Sequence, residues 1–571
     1  MAHFSKIVRW IAKQEHLYFL FSMLLVVPNF VFFVTEPLPV SIGLAAILMP
    51  LAFVMWLLLV FRKPGIMVWI LLPKFILDGG QLILLYLFGE SVVAVDMFLN
   101  LTSSNASEAS ELIGNIFIVI LSVLFFYTIP TLYLAYRSVR LRDKLSLSFR
   151  KKWALIASGI FVMGGISFGM TPLENHQVSF ENDVYPANAL YNLYFAIGKA
   201  EKNSKYHETS ADFSFHARKD EKANKREIVV LVVGETSRAM EWSLYGYERS
   251  TTPRLEKLDG LVHFTNVITQ SNNTHKSVPI ILSAASAEDY EVIYDQKSIV
   301  TAFKEAGYKT VVIANQKLTT SMIESFYREA DEFIDLSAFK TGTYLTSLHD
   351  GAVIPYVEKA VKETKGDLFI VLHTYGSHFN YHERYPKEFS IYKPDKVAGI
   401  RASYKKQLRN AYDNTICYTD YVLSELTDLL AKTGDCSSMM YLSDHGEDIF
   451  DDDRARYLHA SPIPTYYQLH IPCIIWFSDA YRATWPNKYQ AALNHKATPV
   501  STNSVFHTVL DLGGVITPVA DASLMLTSPE FLVRDRMYLG DHDNPVPFWK
   551  IGLKEADFKM LDKWHITYGE R

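Results

Sequence analysis

The sequence predicts an α-helical membrane domain of five transmembrane helices, followed by an α/β domain with a mostly parallel sheet. Two observations carry this. Nearly all the long apolar runs lie before residue 172, and five of them approach the ~20 residues a helix needs to cross hydrocarbon. From Arg226 onward, short β-branched runs alternate with helical patterns, as in a sheet covered by helices on both faces. Composition agrees: the 571 residues are 49% hydrophobic and 20% charged, too apolar for a disordered chain. A net charge of -5 gives no basis for a general nucleic-acid binder. Three cysteines exclude a disulfide-built scaffold.

The apolar runs are His16–Val34, Val40–Phe61, Ile66–Phe88, Ile113–Tyr136 and Trp153–Met170. The first is long and four more follow, which argues against a cleaved leader. Lys74 and Asp78 interrupt the third run; either they pair locally inside the bundle, or they touch a headgroup or a proton path. Basic residues gather before the first run (Lys6, Arg9, Lys13), after the second (Arg62, Lys63) and between the fourth and fifth (Arg137 to Lys152). The other loops carry Glu36, Glu90, Asp96, Glu108 and Glu111. The positive-inside rule therefore puts the N-terminus in the cytoplasm, and five crossings put everything after the fifth run outside.

The expected organisation is a membrane domain over 1–171, a bridging segment over 172–225 and an α/β domain over 226–571. Within the bridge, Ala187–Ala200 reads as an amphipathic helix, either on the membrane surface or packed as a connector. Asn203–Lys225 reads as an exposed linker.

In the second domain, Ile228–Val233, Thr310–Ala314, Leu368–His373, Ser438–Leu442 and Ile471–Phe477 read as buried strands. Ser298–Ala306, Gly351–Lys362 and Tyr404–Ala431 read as helices between them. Open parallel sheets bind ligands beyond the carboxyl ends of their strands. Three such ends deliver Glu235, His378 and the adjacent pair Asp444-His445 to one rim. Two carboxylates and an imidazole form a mixed oxygen and nitrogen donor set that suits a divalent metal, zinc among them. Glu235, Asp444 and His445 are the candidate ligands.

Several motifs in register carry a family resemblance: Val233-Gly234-Glu235-Thr236-Ser237-Arg238-Ala239, Tyr245-Gly246-Tyr247, Ser277-Val278-Pro279, Asn410-Ala411-Tyr412-Asp413-Asn414, Ser443-Asp444-His445-Gly446-Glu447 and Tyr457-Leu458-His459. Together they resemble the catalytic domain of the phosphoethanolamine transferases, the group that includes the lipid A modifying enzymes of polymyxin resistance. The resemblance implies an alkaline phosphatase/sulfatase fold and one tightly bound zinc ion, with room for a second. It implies Thr274, three residues before Ser-Val-Pro, as the nucleophile and a further metal contact. Thr236, beside Glu235, is the rival nucleophile. His378 and His459 match histidines that contact the phosphate or a second zinc, Asn315 and Lys317 match polar substrate contacts, and Asp289 matches an acidic residue near the substrate.

The chain departs from the family pattern at the nucleophile loop. Gln270 and Ile280 stand where many members have flanking cysteines, so packing and hydrogen bonds must hold the loop. A Cys417–Cys436 bridge is open to the sequence, while Cys417 and Cys473 read as buried apolar residues. The acidic run Asp448, Asp451, Asp452 and Asp453 reads as a solvated loop.

The resemblance implies transfer of phosphoethanolamine from phosphatidylethanolamine, through a phosphothreonine-type intermediate, to an envelope acceptor such as lipid A or another glycolipid. In that scheme His378 and His459 stabilise the phosphate, and one of them protonates the leaving oxygen. The implied setting is a bacterial inner membrane with the catalytic domain in the periplasm. Two rival readings are a glycerol-phosphate transferase of the lipoteichoic acid synthase type and a catalytically silent membrane-anchored binding protein.

Overall fold

A computed structural model describes residues 11–35, 38–88, 94–95, 98, 117–171, 180, 184–220, 225–316, 321–339, 348–397 and 399–571. The chain divides into two compact units, the first taking in the helices through Ile197 and the second running from Gly198 to Arg571.

In the first unit, four helices among the described residues are long and apolar enough to cross a membrane: Gln14–Thr35, Val40–Leu58, Phe117–Arg140 and Leu147–Met170. The third apolar run is a pair of helices, Pro64–Ile70 and Leu72–Leu84, bent by 67°, and counting it as one span gives five. The break precedes the polar pair. Lys74 Nζ lies 2.6 Å from Asp78 Oδ1 and donates to the Leu25 carbonyl at 3.0 Å. Asp78 is fully buried and also accepts from the Tyr127 and Tyr185 hydroxyls at 2.6 and 2.5 Å. This is local pairing inside the bundle, where an unsatisfied charge is costly. Small residues let the spans approach closely. A Cβ on Gly164 would stand 2.7 Å from Met49, on the facing helix.

The second unit is built on seven strands: β1 (Glu227–Gly234), β2 (Leu261–Phe264), β3 (Lys309–Ala314), β4 (Glu332–Asp335), β5 (Leu368–His373), β6 (Cys436–Ser443) and β7 (Cys473–Phe477). Their order across the sheet is β2-β7-β6-β1-β5-β3-β4. Neighbours from β6 to β4 run parallel, while β7 runs antiparallel to both β6 and β2. All five expected strands are present. Every residue of β1, β5 and β6 is buried, which is why they read as continuous apolar runs rather than alternating ones. The edge strands β2 and β4, only four residues each and partly exposed, carry no such signal. Nor does apolar content alone reveal the reversed direction of β7.

The linker expectation fails. The amphipathic helix continues to Thr209, and Tyr206 and Phe215 are buried in the main core. Arg218–Lys219 pairs with Val515–Ile516 as a two-stranded ribbon. Two aromatic side chains in a polar stretch were enough to anchor it, and composition averaged them away. Residues 221–224 lie outside the described residues. All three cysteines are free and buried, so the open Cys417–Cys436 pairing is not made.

Candidate active site

β1 and β6 are neighbours in parallel register, with Gly234 opposite Ser443, so Glu235 and Asp444 leave the sheet side by side. Both are buried. Thr236 then turns with φ 53, and its N–H donates to Asp444 Oδ1 at 3.1 Å. The turn after β5 closes on the same spot. A Cβ on Gly376, itself at φ +51, would stand 2.7 Å from the Glu235 carbonyl oxygen, so only glycine permits this approach.

Thr274 opens the helix α1 (Thr274–Leu282), capped by the Asn273 side chain, which accepts from the His275 N–H at 2.9 Å. This places Thr274 Oγ1 3.2 Å from Glu235 Oε1 and 3.1 Å from His445 Nε2. His445 Nε2 lies 3.2 Å from Asp444 Oδ2 and 3.6 Å from Glu235 Oε1. Ser277, one turn along α1, reaches Asp444 Oδ2 at 3.4 Å.

The loop before Thr274 is held without cysteines. Gln270 Oε1 accepts from the Ala287 N–H at 3.1 Å, and its backbone bonds to Thr502 and Leu539. Asn272 Nδ2 donates to Gln468 Oε1 at 2.6 Å, and its Oδ1 accepts from Tyr538 at 2.7 Å. Ile280 is fully buried.

A second group of possible ligand atoms joins Glu235 with His378 and His459, all within 4.8 Å of one another. His378 Nδ1 pairs with the Phe379 carbonyl at 2.7 Å, and His459 Nδ1 lies 3.3 Å from Glu447 Oε1. The His445 and His459 rings are 4.3 Å apart. Burial, helped by the neighbouring His459 and Arg384, pushes His378 well below its ordinary value. Burial also pushes His459 down to about 4. The Glu447 carboxyl is pushed up to about 8, again by burial.

Other expected contacts are engaged elsewhere. Asn315 donates to Asp350 Oδ1 at 2.8 Å and to the Leu348 carbonyl at 2.7 Å, so its amide ties two loops together. Asp289 is exposed in a turn, where its N–H donates to the Ser286 hydroxyl. Among the described residues it belongs to neither ligand group. Lys317 lies outside the described residues. Most of the acidic run is not solvated: Asp448 is buried, Asp451 pairs with Arg238 and Arg409 at 2.7 Å each, and Asp452 pairs with Arg454, while Asp453 is exposed as expected. Those arginines are distant in sequence except Arg454, so the run looked uncompensated.

Two contributors escaped the sequence reading. Gln316 Nε2 donates to Glu235 Oε2 at 2.8 Å. His373, the last residue of β5, is fully buried with Nε2 3.9 Å from the same oxygen, and burial pushes it down to about 4. Both stand at strand ends, the one signal that marks them.

The donor set suits a divalent cation such as zinc: ligand atoms of Glu235, Asp444 and His445 all lie within 4.8 Å of one another. Metal–ligand bonds of ~2.0–2.2 Å place neighbouring donors roughly 3.3–3.6 Å apart. Four of the six separations among Glu235 Oε1, Thr274 Oγ1, His445 Nε2 and Asp444 Oδ2 are given above and run from 3.1 to 3.6 Å. A cation would also offset the cost of two adjacent buried carboxylates.

Comparison with known proteins gives the same picture. The family model described as Sulfatase matches residues 227–515, half of the chain. The chain is 29% identical over 324 residues to the phosphoethanolamine transferase EptC of Escherichia coli O18:K1:H7, covering 55% of each. It is 28% identical over 262 residues to the Kdo(2)-lipid A phosphoethanolamine 7''-transferase of Escherichia coli K12, covering 44% of this chain and 45% of that one. The match thus spans about half the length of these curated relatives. Among solved structures, the C-terminal periplasmic domain of Escherichia coli EptC in complex with Zn has a TM-score of 0.53 at 27% identity, covering 59% of this chain and 96% of that one. The integral membrane protein EptA of Neisseria meningitidis shares the fold, with a TM-score of 0.73 at 22% identity over 90% of this chain and 98% of that one. A multi-pass helical unit is thus joined to a separate α/β domain, and the chain belongs to the sulfatase family.

Proposed function

We propose that this chain is a membrane-anchored phosphoethanolamine transferase that carries the group from phosphatidylethanolamine, through Thr274, to an envelope acceptor, lipid A or a related glycolipid. The observation that carries the reading is the position of Thr274 Oγ1, 3.2 Å from Glu235 Oε1 and 3.1 Å from His445 Nε2 at the start of α1. The names of the relatives support the transferred group and a lipid A acceptor, and the zinc-bound relative supports zinc as the metal. The distribution of Lys and Arg among the loops supports a cytoplasmic N-terminus and a catalytic domain on the periplasmic side of the inner membrane.

In this reading Glu235, Asp444 and His445 hold one zinc ion, with Thr274 as a further contact, and a second ion has a candidate place at His378 and His459. When bound, zinc supplies a Lewis acid that lowers the pKa of a hydroxyl and neutralises phosphate charge. Thr274 Oγ forms the new bond to phosphorus as the bond from phosphorus to the diacylglycerol oxygen breaks. Thr274 gives up one proton and the diacylglycerol oxygen takes one, so the step balances. An acceptor hydroxyl or phosphate then attacks the same phosphorus and frees Thr274. His378 and His459 flank Glu235, where they would hold that second cation or contact the phosphoryl group; the His378 Nδ1–H is already given to the Phe379 carbonyl, which leaves its other ring nitrogen as an acceptor. Both substrates are lipid-anchored, a physical reason for a membrane tether.

The test is lipid A mass spectrometry with and without the gene, together with the headgroup recovered on Thr274 of purified enzyme. Ethanolamine phosphate on Thr274 and on lipid A is the expected result. A glycerol phosphate adduct would point to the lipoteichoic acid synthase type instead, and no adduct and no bound zinc to a silent binding protein.

A further inference from the structure

We propose that Gln316 is a positioning residue that fixes the rotation of the Glu235 carboxylate against Thr274 and His445. Gln316 is buried, the second residue after β3. Its Nε2 donates to Glu235 Oε2 at 2.8 Å and to the Thr374 carbonyl at 3.0 Å. Both partners are acceptors, so the amide orientation is set: the nitrogen must face them.

The base of Gln316 is itself held. The Asn315 N–H continues the strand pairing by donating to the His373 carbonyl at 2.9 Å. The Asn315 amide is fixed by Asp350, which also accepts from the Tyr375 and Gly376 N–H groups at 2.8 Å each. Asp350 therefore sets both sides of the Gln316 bridge, the end of β3 and the turn after β5. Gln316 spans the gap and holds Oε2 on the side of β5, where His373 Nε2 also lies, 3.9 Å away. The carboxylate cannot rotate without losing this bond, so Oε1 stays 3.2 Å from Thr274 Oγ1 and 3.6 Å from His445 Nε2, while Oε2 lies 3.5 Å from the same threonine hydroxyl. A neutral amide does this without cancelling the negative charge a cation needs.

The inference rests on Glu235 being a metal ligand. Donors that orient a ligating carboxylate typically carry 10–100-fold in metal affinity. The experiment uses the full chain in detergent. Zinc affinity is measured by chelator competition and ligand geometry by the visible spectrum of the cobalt(II)-loaded protein. The variants are Gln316→Met, which keeps the length without the donor, and Gln316→Glu, which replaces the donor by an acceptor. The expected result is a zinc affinity roughly 10–100-fold weaker and an altered cobalt spectrum for both, with thermal unfolding of the zinc-free proteins unchanged in whichever variant is used. Wild-type affinity and spectrum in a folded variant would overturn the proposal. Glu235→Ala is run beside them: if wild type binds zinc and Glu235→Ala does not, the active-site reading stands whatever Gln316 does. If Glu235→Ala binds zinc as wild type does, that reading falls and the role of Gln316 falls with it.

Discussion

Thr274 and Glu235 stand 39 positions apart in the chain, yet Thr274 Oγ1 lies 3.2 Å from Glu235 Oε1. The contact joins the end of a central strand to the first residue of a capped helix. Thr236 is adjacent to Glu235 in sequence, but its buried hydroxyl meets neither Glu235 nor His445 by a hydrogen bond, and its backbone N–H is committed to Asp444. Thr274→Ala is therefore expected to remove transfer by on the order of 10³-fold or more, and to remove the covalent adduct seen by mass spectrometry. Thr236→Ala is expected to keep the adduct. An adduct on Thr236 would reverse the assignment.

Stripping metal with a chelator is expected to abolish transfer, and added zinc to restore it. His445→Ala is expected to retain less than one zinc per chain in elemental analysis. Asp444→Ala should lose zinc and also lower the unfolding temperature, because Asp444 Oδ1 accepts from the N–H groups of Thr236 and His445 as well. A zinc content equal to wild type in both variants would count against the ligand set.

Arg238 is fully buried between Glu241 and Asp451, at 2.5 and 2.7 Å. It also donates to the Glu447 carbonyl at 2.9 Å, two residues beyond His445. Removing one member of such a group leaves a buried charge without compensation. Arg238→Met is expected to destabilise the fold by about 3–5 kcal/mol, read by denaturant or thermal unfolding. A loss under ~1 kcal/mol would mean that Arg409, 2.7 Å from Asp451, already suffices.

Asp413 sits in the Asn-Ala-Tyr-Asp-Asn motif on the helix α2 (Lys405–Thr433), bonded to Arg249 at 2.7 Å and Tyr247 at 3.1 Å. Burial first, and then Glu241, push its carboxyl up to about 7 despite Arg249. The unfolded chain titrates near ~3.9, so the folded state holds the proton more tightly between these values. Stability from this group is present at low pH and is lost as pH rises through about 7. Asp413→Asn removes the titration. Its cost relative to wild type should be smaller at pH 8 than at pH 5, read from unfolding midpoints. Parallel pH profiles for the two proteins would sink this account.

Much of this protein is written in local chemistry. Continuous apolar runs mark both the membrane helices and β1, β5 and β6, because each is surrounded on all sides by hydrocarbon or by packed side chains. Strand ends pointed to Glu235, Asp444 and His445 because parallel strands in register deliver their next residues to one rim. Tertiary structure alone decided the rest. The strand β7 reverses direction and the edge strands join the sheet through pairing, which leaves no local pattern. Asn315 turns to Asp350 while Gln316 takes Glu235, since neighbouring side chains point to opposite faces and the spacing does not say which. Within the acidic run Asp451 is neutralised by Arg238 and Arg409, and the Tyr206 and Phe215 side chains turn an apparent linker into core. Each of these outcomes depends on a partner far away along the chain, and only the folded chain brings such partners within reach.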